Sequence, residues 1–141
     1  MNSPILAPIL ALAAWSMVMW LWMYAKRLPA LLAIPAEKRA KLGQRTSELA
    51  REMPAASQWP ADNYNHLMEQ PTLFYAVAIC LALLGAGTGM AVTFAWAYVG
   101  LRIIHSIVQA TSNVVILRFA LFSLSSFALI GLIALAARAA F

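Results

Sequence analysis

QPTLFYAVAICLALLGAGTGMAVTFAWAYVGL, residues 70–101, carries no charge along its whole length and is interrupted once, by Gly85-Ala86-Gly87-Thr88-Gly89. Glycines at that density favour a turn. The run therefore divides into two apolar helices, one over residues 63–84 and one over 90–110. Working outward, residues 109–113 form a short polar break, and residues 119–137 are again wholly uncharged, which predicts a further helix over 115–137. On the other side, residues 1–25 lack charge and end in Lys26-Arg27, which gives a first span over 4–25, with Pro4 and Pro8 in opening turns where a missing backbone donor costs little. A signal peptide would place its bases before a shorter apolar stretch and follow it with a small-residue cleavage site, so the order here is wrong for cleavage.

Each of these segments meets the requirement of about 20 apolar residues for a transmembrane helix. The whole chain agrees. Of its 141 residues 63% are hydrophobic and 11% charged, and the mean hydropathy is +0.77. Four spans and one loop account for that length, which excludes a separate soluble catalytic domain and a large single-chain transporter. The expected architecture is an all-α membrane protein, one four-helix up-down domain over 1–141, because tight connections join antiparallel neighbours.

Charge is concentrated in one loop, residues 26–62, which holds seven of the ten Lys and Arg residues and four of the five acids. Prolines 29, 35, 54 and 60 also fall there, and residues 37–52 fit a short surface helix. Bases confined beside membrane spans point to topology and lipid contact, not to nucleic acid. Short basic loops stay in the cytoplasm, so both termini are expected on the opposite side. Cys80 lies within the apolar run 74–84 and is the only cysteine, which excludes an intrachain disulfide and predicts a small buried hydrophobe.

Outside the loop only Glu69, Arg102, Arg118 and Arg138 are charged. At 1.5 Å per residue, Glu69 lies about two turns into the second span, Arg102 about two turns from the end of the third, and Arg118 about one turn into the fourth. All three fall in the cytoplasmic third. Charges in a span are costly and usually face the bundle interior or a polar cavity, so convergence at one depth suggests one site. On the third span Arg102, His105, Ser106 and Gln109 stand at i, i+3, i+4 and i+7, a single stripe. On the second, Asn65, His66, Glu69 and Thr72 fall close together, and Pro71 removes a backbone hydrogen bond beside Glu69 and bends the helix.

A purely structural role is also open: Glu69 pairs with Arg102 to join two spans while Arg118 snorkels to the headgroups. Metal binding is not expected, because His66, Glu69 and His105 lack a fourth partner. There is no nucleophilic triad or cysteine cluster, and the glycines at 85–89 lack the strand, helix start and lysine of a phosphate loop.

Three segments, His66-Leu67-Met68-Glu69 followed by Pro71 to Tyr75, Arg102-Ile103-Ile104-His105-Ser106, and Asn113 to Phe119, resemble the MAPEG family, the membrane-associated proteins in eicosanoid and glutathione metabolism. The likeness covers roughly residues 60–137, in the arrangement of a divergent bacterial-type member of the inner membrane. It implies a homotrimer with glutathione as cosubstrate near the cytoplasmic side. Residue by residue, it implies that Arg118 is catalytic and that Glu69, Arg102, His105, His66 and Asn65 hold the tripeptide. Guanidinium groups take carboxylates bidentately, a glutamate takes the amine, and a fixed cation favours the thiolate. The chain departs from the family pattern in having His66 where an asparagine is usual, Asn65 and Asp62 where arginines are usual, and Phe122 and Gln109 in place of aromatic hydroxyls. The implied function is a glutathione-dependent transferase or peroxidase acting on lipophilic electrophiles. The alternative is a non-catalytic lipid-binding or scaffold protein of the same fold. A small transporter subunit fits less well, since one polar layer makes no path across.

Overall fold

A computed structural model of the chain describes residues 3–41 and 46–141. Seven helices are described: α1 Leu6–Leu32, α2 Ala36–Lys41, α3 Thr46–Glu52, α4 Ala55–Leu67, α5 Pro71–Leu83, α6 Met90–Thr111 and α7 Val115–Ala140. Four stretches are long and apolar enough to cross a membrane: α1, α4 with α5, α6, and α7. The surface helix expected over 37–52 is present as α2 and α3, and the residues between them lie outside the described ones.

The charge pattern marks the loop as 26–62, and the helices overrun it from both sides. α1 continues through Lys26, Arg27 and Pro29 to Leu32. Lys and Arg are good helix formers with stems that pack on apolar surface, and the helix stops only ahead of Pro35. α4 begins directly after Pro54, whose extended backbone starts the turn in which Ser57 N–H bonds to the Pro54 carbonyl at 2.9 Å. Asp62 is on the exposed face of α4 and does not interrupt it.

Pro71 acts as its chemistry requires. It has no N–H for the Leu67 carbonyl, so the ladder fails there and residues 68–70 separate α4 from α5. Across the break the bonds shorten to three-residue spacing, with Met68 N–H on the Asn65 carbonyl at 2.9 Å and Leu73 N–H on the Gln70 carbonyl at 3.0 Å. Pro71 is then the first residue of α5, where its fixed φ suits a helix start.

The glycine turn closes α5 with a Schellman arrangement: Gly85, at φ +70°, donates to the Ala82 carbonyl, and Ala86 donates to the Leu81 carbonyl. Gly87 serves a different end. A Cβ there would meet the Ser3 hydroxyl and lie 2.7 Å from Ile5 Cγ2, because the segment before α1 is docked on the turn with Ile5 fully buried. Gly87→Ala is therefore expected to lower unfolding stability by about 1–3 kcal/mol, the usual cost of overpacking. A drop in Tm on detergent-solubilised protein would register it, and an unchanged Tm would mean the N-terminal segment is not held there.

α1 packs on α4, α5 and α6, while α7 packs on α6 and α5. The core of the half nearest the glycine turn is apolar, with Leu12, Phe74, Leu81, Ala95, Val99 and Leu132 all buried. Gly131 allows the Phe94 ring against α7, at 3.1 Å from where a Cβ would stand. Large apolar side chains such as Leu10, Leu83, Ile116, Phe119 and Phe127 are exposed on the outside, as a lipid-facing surface requires. Cys80 is exposed there too, on the outer face of α5 and not in the core.

Candidate functional site

The polar residues gather in the other half of the bundle, where α4, α6 and α7 meet. Asn63 Nδ2 donates to Gln109 Oε1 at 2.8 Å, which fixes the antiparallel register of α4 on α6. It also means that the first turns of α4 stand beyond the level at which α6 ends. The α6 stripe inferred from spacing is a real buried face, with Arg102 and Ser106 at 0% exposure, His105 at 2% and Gln109 at 4%.

Arg102 is the centre of this face. Its Nη2 donates to the His66 carbonyl at 3.1 Å, in the last turn of α4, where the break leaves that carbonyl only a long backbone bond, from the Glu69 N–H at 3.4 Å. A cation at a helix C-terminus also meets the negative end of the helix dipole. Nη1 lies 3.5 Å from His66 Nε2, and the guanidinium stands over the Phe122 ring at 5.5 Å. On the far side of the imidazole, His66 Nδ1 is 2.9 Å from Glu69 Oε2.

These contacts select a tautomer. A guanidinium can only donate, so Nε2 accepts, and Nδ1 carries the proton that it donates to the carboxylate. Glu69 and Arg102 are thus joined through an imidazole. Among the described residues they form no direct ion pair, and the Glu69 carboxylate lies largely on the outer surface, with 67% of the side chain exposed.

His105 and Phe122 complete the cluster. The two imidazoles are 5.2 Å apart between centroids, and Phe122 lies 5.3 Å from His66 and 6.5 Å from His105. Phe122 fills the place where the three basic side chains meet and offers no hydroxyl. His105 Nδ1, Ser106 Oγ, Asn63 Oδ1 and Arg102 Nε have no hydrogen-bond partner among the described residues.

Arg118 stands apart from this group. It is half-buried in the first turns of α7, and its Nη1 donates to Asn113 Oδ1 at 2.6 Å. Asn113 holds the turn between α6 and α7 in the left-handed region, at φ +52°, with its N–H on the Val108 carbonyl at 2.7 Å. Of the six residues singled out from the sequence, Glu69, His66, Arg102 and His105 therefore come together. Arg118 lies at the neighbouring turn, and Asn65 is exposed on α4, with no side-chain hydrogen bond among the described residues.

A second polar link does not follow from the helical spacing. Gln70, inside the break, accepts from Tyr98 Oη at 3.3 Å and donates to Ser126 Oγ at 2.8 Å, tying α6 and α7 to the point where α4 ends. Tyr98 is also stacked on Phe74 at 4.6 Å. The signal for it in the sequence is an amide next to a proline in a charge-free span, followed by a tyrosine on the next helix.

Among the described residues no group of three His, Cys, Asp or Glu side chains is placed to hold a metal ion. In comparison with known proteins, the MAPEG family model matches residues 5–138. No curated protein and no solved structure matches the chain.

Proposed function

The chain belongs to the MAPEG family, and from that premise we propose that it is a glutathione-dependent transferase or peroxidase acting on lipophilic electrophiles that arrive through the bilayer. The observation that carries the reading is the Glu69 carboxylate, 67% exposed on the outside of a membrane-spanning stretch and held in place by His66. A carboxylate facing hydrocarbon is costly, and such residues face protein or a polar cavity. A second copy of the chain and a polar ligand would together cover it, which supports an oligomer with the site between protomers, and a homotrimer is the assembly proposed.

Glutathione would supply an amine, two carboxylates and a thiol as nucleophile. Glu69 fits the amine, since its free oxygen can accept while His66 keeps the other engaged. Arg118 retains donors beyond the one used on Asn113, so it can face the sulfur and favour its ionised form. Arg102 and His105 act from behind: fully buried, Arg102 orients His66, and through it Glu69. Asn65, exposed on the last turn of α4 ahead of Glu69, adds a neutral amide at the rim.

Calorimetric titration of detergent-solubilised protein with glutathione tests this reading. Saturable binding weakened about 10- to 100-fold by Glu69→Gln, as expected for a charge-assisted hydrogen bond, would support it. Absence of binding to the parent protein would overturn it. A scaffold reading is favoured by one observation, that Arg102 is committed to the His66 carbonyl and Phe122 fills the space a ligand would need beside it.

The orientation follows from the seven bases at 26–51, with both termini away from the cytoplasm. A reporter enzyme fused at Phe141 is expected to be active only when it requires export. Activity of a cytoplasm-dependent reporter at that position would reverse the assignment.

A further inference from the structure

The C-terminal end of α1 carries a second cavity, unrelated to the cluster around Arg102. Met23, Tyr24, Arg27, Leu28 and Leu31 share one face of α1, and Met53, ahead of α4, closes it from the side to leave a cavity of about 200 Å³. The lining is mostly apolar apart from the Arg27 guanidinium and the Tyr24 hydroxyl. Arg27 is half-buried and forms no ion pair among the described residues, whose two salt bridges are Lys38 with Glu52 and His66 with Glu69.

Two observations set its depth. Arg27 stands about 30 Å along the helix axis from Leu6, close to the hydrocarbon thickness of about 30 Å. Trp20 and Tyr24, packed edge to face with centroids 4.8 Å apart, sit just below it, as residues of an interfacial aromatic belt do. The guanidinium is therefore at headgroup level, with apolar walls beside it.

We infer that this cavity binds the phosphate-bearing head of an anionic phospholipid, with Arg27 on the phosphate and the glycerol end against Met23, Leu28 and Met53. A cavity of this size is below the range of about 300–1,000 Å³ that encloses a whole small-molecule ligand. It suits one end of an amphiphile whose chains stay in the bilayer. Charge selects the class: an arginine with no carboxylate beside it takes a phosphate bidentately, and a zwitterionic head brings a cation that the Arg27 guanidinium in the cavity repels. The bases of α2 and α3 add attraction to an anionic leaflet, but they do not build the cavity.

Native mass spectrometry on detergent-solubilised protein, incubated in parallel with phosphatidylglycerol and phosphatidylcholine, tests the assignment. Phosphatidylglycerol is expected to remain bound where phosphatidylcholine is lost, and Arg27→Gln is expected to lower its occupancy about five-fold or more, the worth of one base at an anionic surface. Met53→Trp, which keeps every charge and fills the space, should lower it as well. Lys26→Gln, exposed and outside the cavity, should leave it unchanged. Equal retention of the two lipids, or no effect of Arg27→Gln in a protein with unaltered Tm, would overturn the site. So would an equal loss with Lys26→Gln, which would indicate diffuse attraction, or displacement by inorganic phosphate alone.

Discussion

Replacement of Arg118 by Leu is expected to lower kcat for the proposed glutathione transfer by about 10²–10³-fold, the loss seen when one preorganised donor to a developing negative charge is removed. The folded assembly should survive. Arg118 stands near the start of α7, where a cation opposes the positive end of the helix dipole, so the residue does not serve the stability of its own helix. Its one hydrogen bond, to Asn113 Oδ1, orients the guanidinium over the turn between α6 and α7. Asn113→Gly would keep the left-handed backbone while releasing that orientation, and is expected to reduce kcat less than Arg118→Leu does. Steady-state kinetics with a generic lipophilic electrophile would check both, with Tm and native mass spectrometry as controls. Turnover by Arg118→Leu equal to that of the parent would remove the residue from the chemistry.

Much of this arrangement is legible in the amino-acid sequence. Charge-free runs mark the four spans, Pro71 marks the break, and the i, i+3, i+4, i+7 spacing marks the buried face of α6, because each follows from local geometry along one helix. The ends of α1 and α4 are not legible from charge. A Lys-Arg pair and a single Asp62 are compatible with helix, and the actual stops are set by Pro35 and Pro54. Contacts across helices are also hidden. Spacing places Glu69 on the same side as His66, but where the ladder fails at Pro71 the backbone turns Glu69 outward and Gln70 inward. The direct pair of Glu69 with Arg102 that a purely structural role called for is accordingly an indirect link through His66, and Phe122 is a filler between rings, which no pattern on α7 alone announces.

Arg102 separates the two remaining roles by opposite signatures in stability and affinity. With its guanidinium at 0% exposure, any ligand contact would require it to leave the His66 carbonyl. Arg102→Leu removes the donor from that carbonyl and the cation behind the His66–Glu69 pair, and should cost about 1.5–3 kcal/mol for a hydrogen bond from a charged group. Relief from burying a cation opposes this, but leucine cannot fill the guanidinium's length or replace its hydrogen bond to the His66 carbonyl, so the net sign is destabilising. Arg102→Lys keeps the charge without the fork. It cannot span both the carbonyl and Nε2, so it should recover only part of the loss. If Arg102 works through His66, glutathione affinity should fall in parallel with stability across Leu and Lys, and Glu69→Gln should lower affinity at unchanged Tm. If Arg102 binds the tripeptide directly, Arg102→Leu should abolish binding while Tm holds or rises. Thermal unfolding and calorimetry on the same three variants distinguish these cases, and a stable Arg102→Leu protein would refute the positioning role.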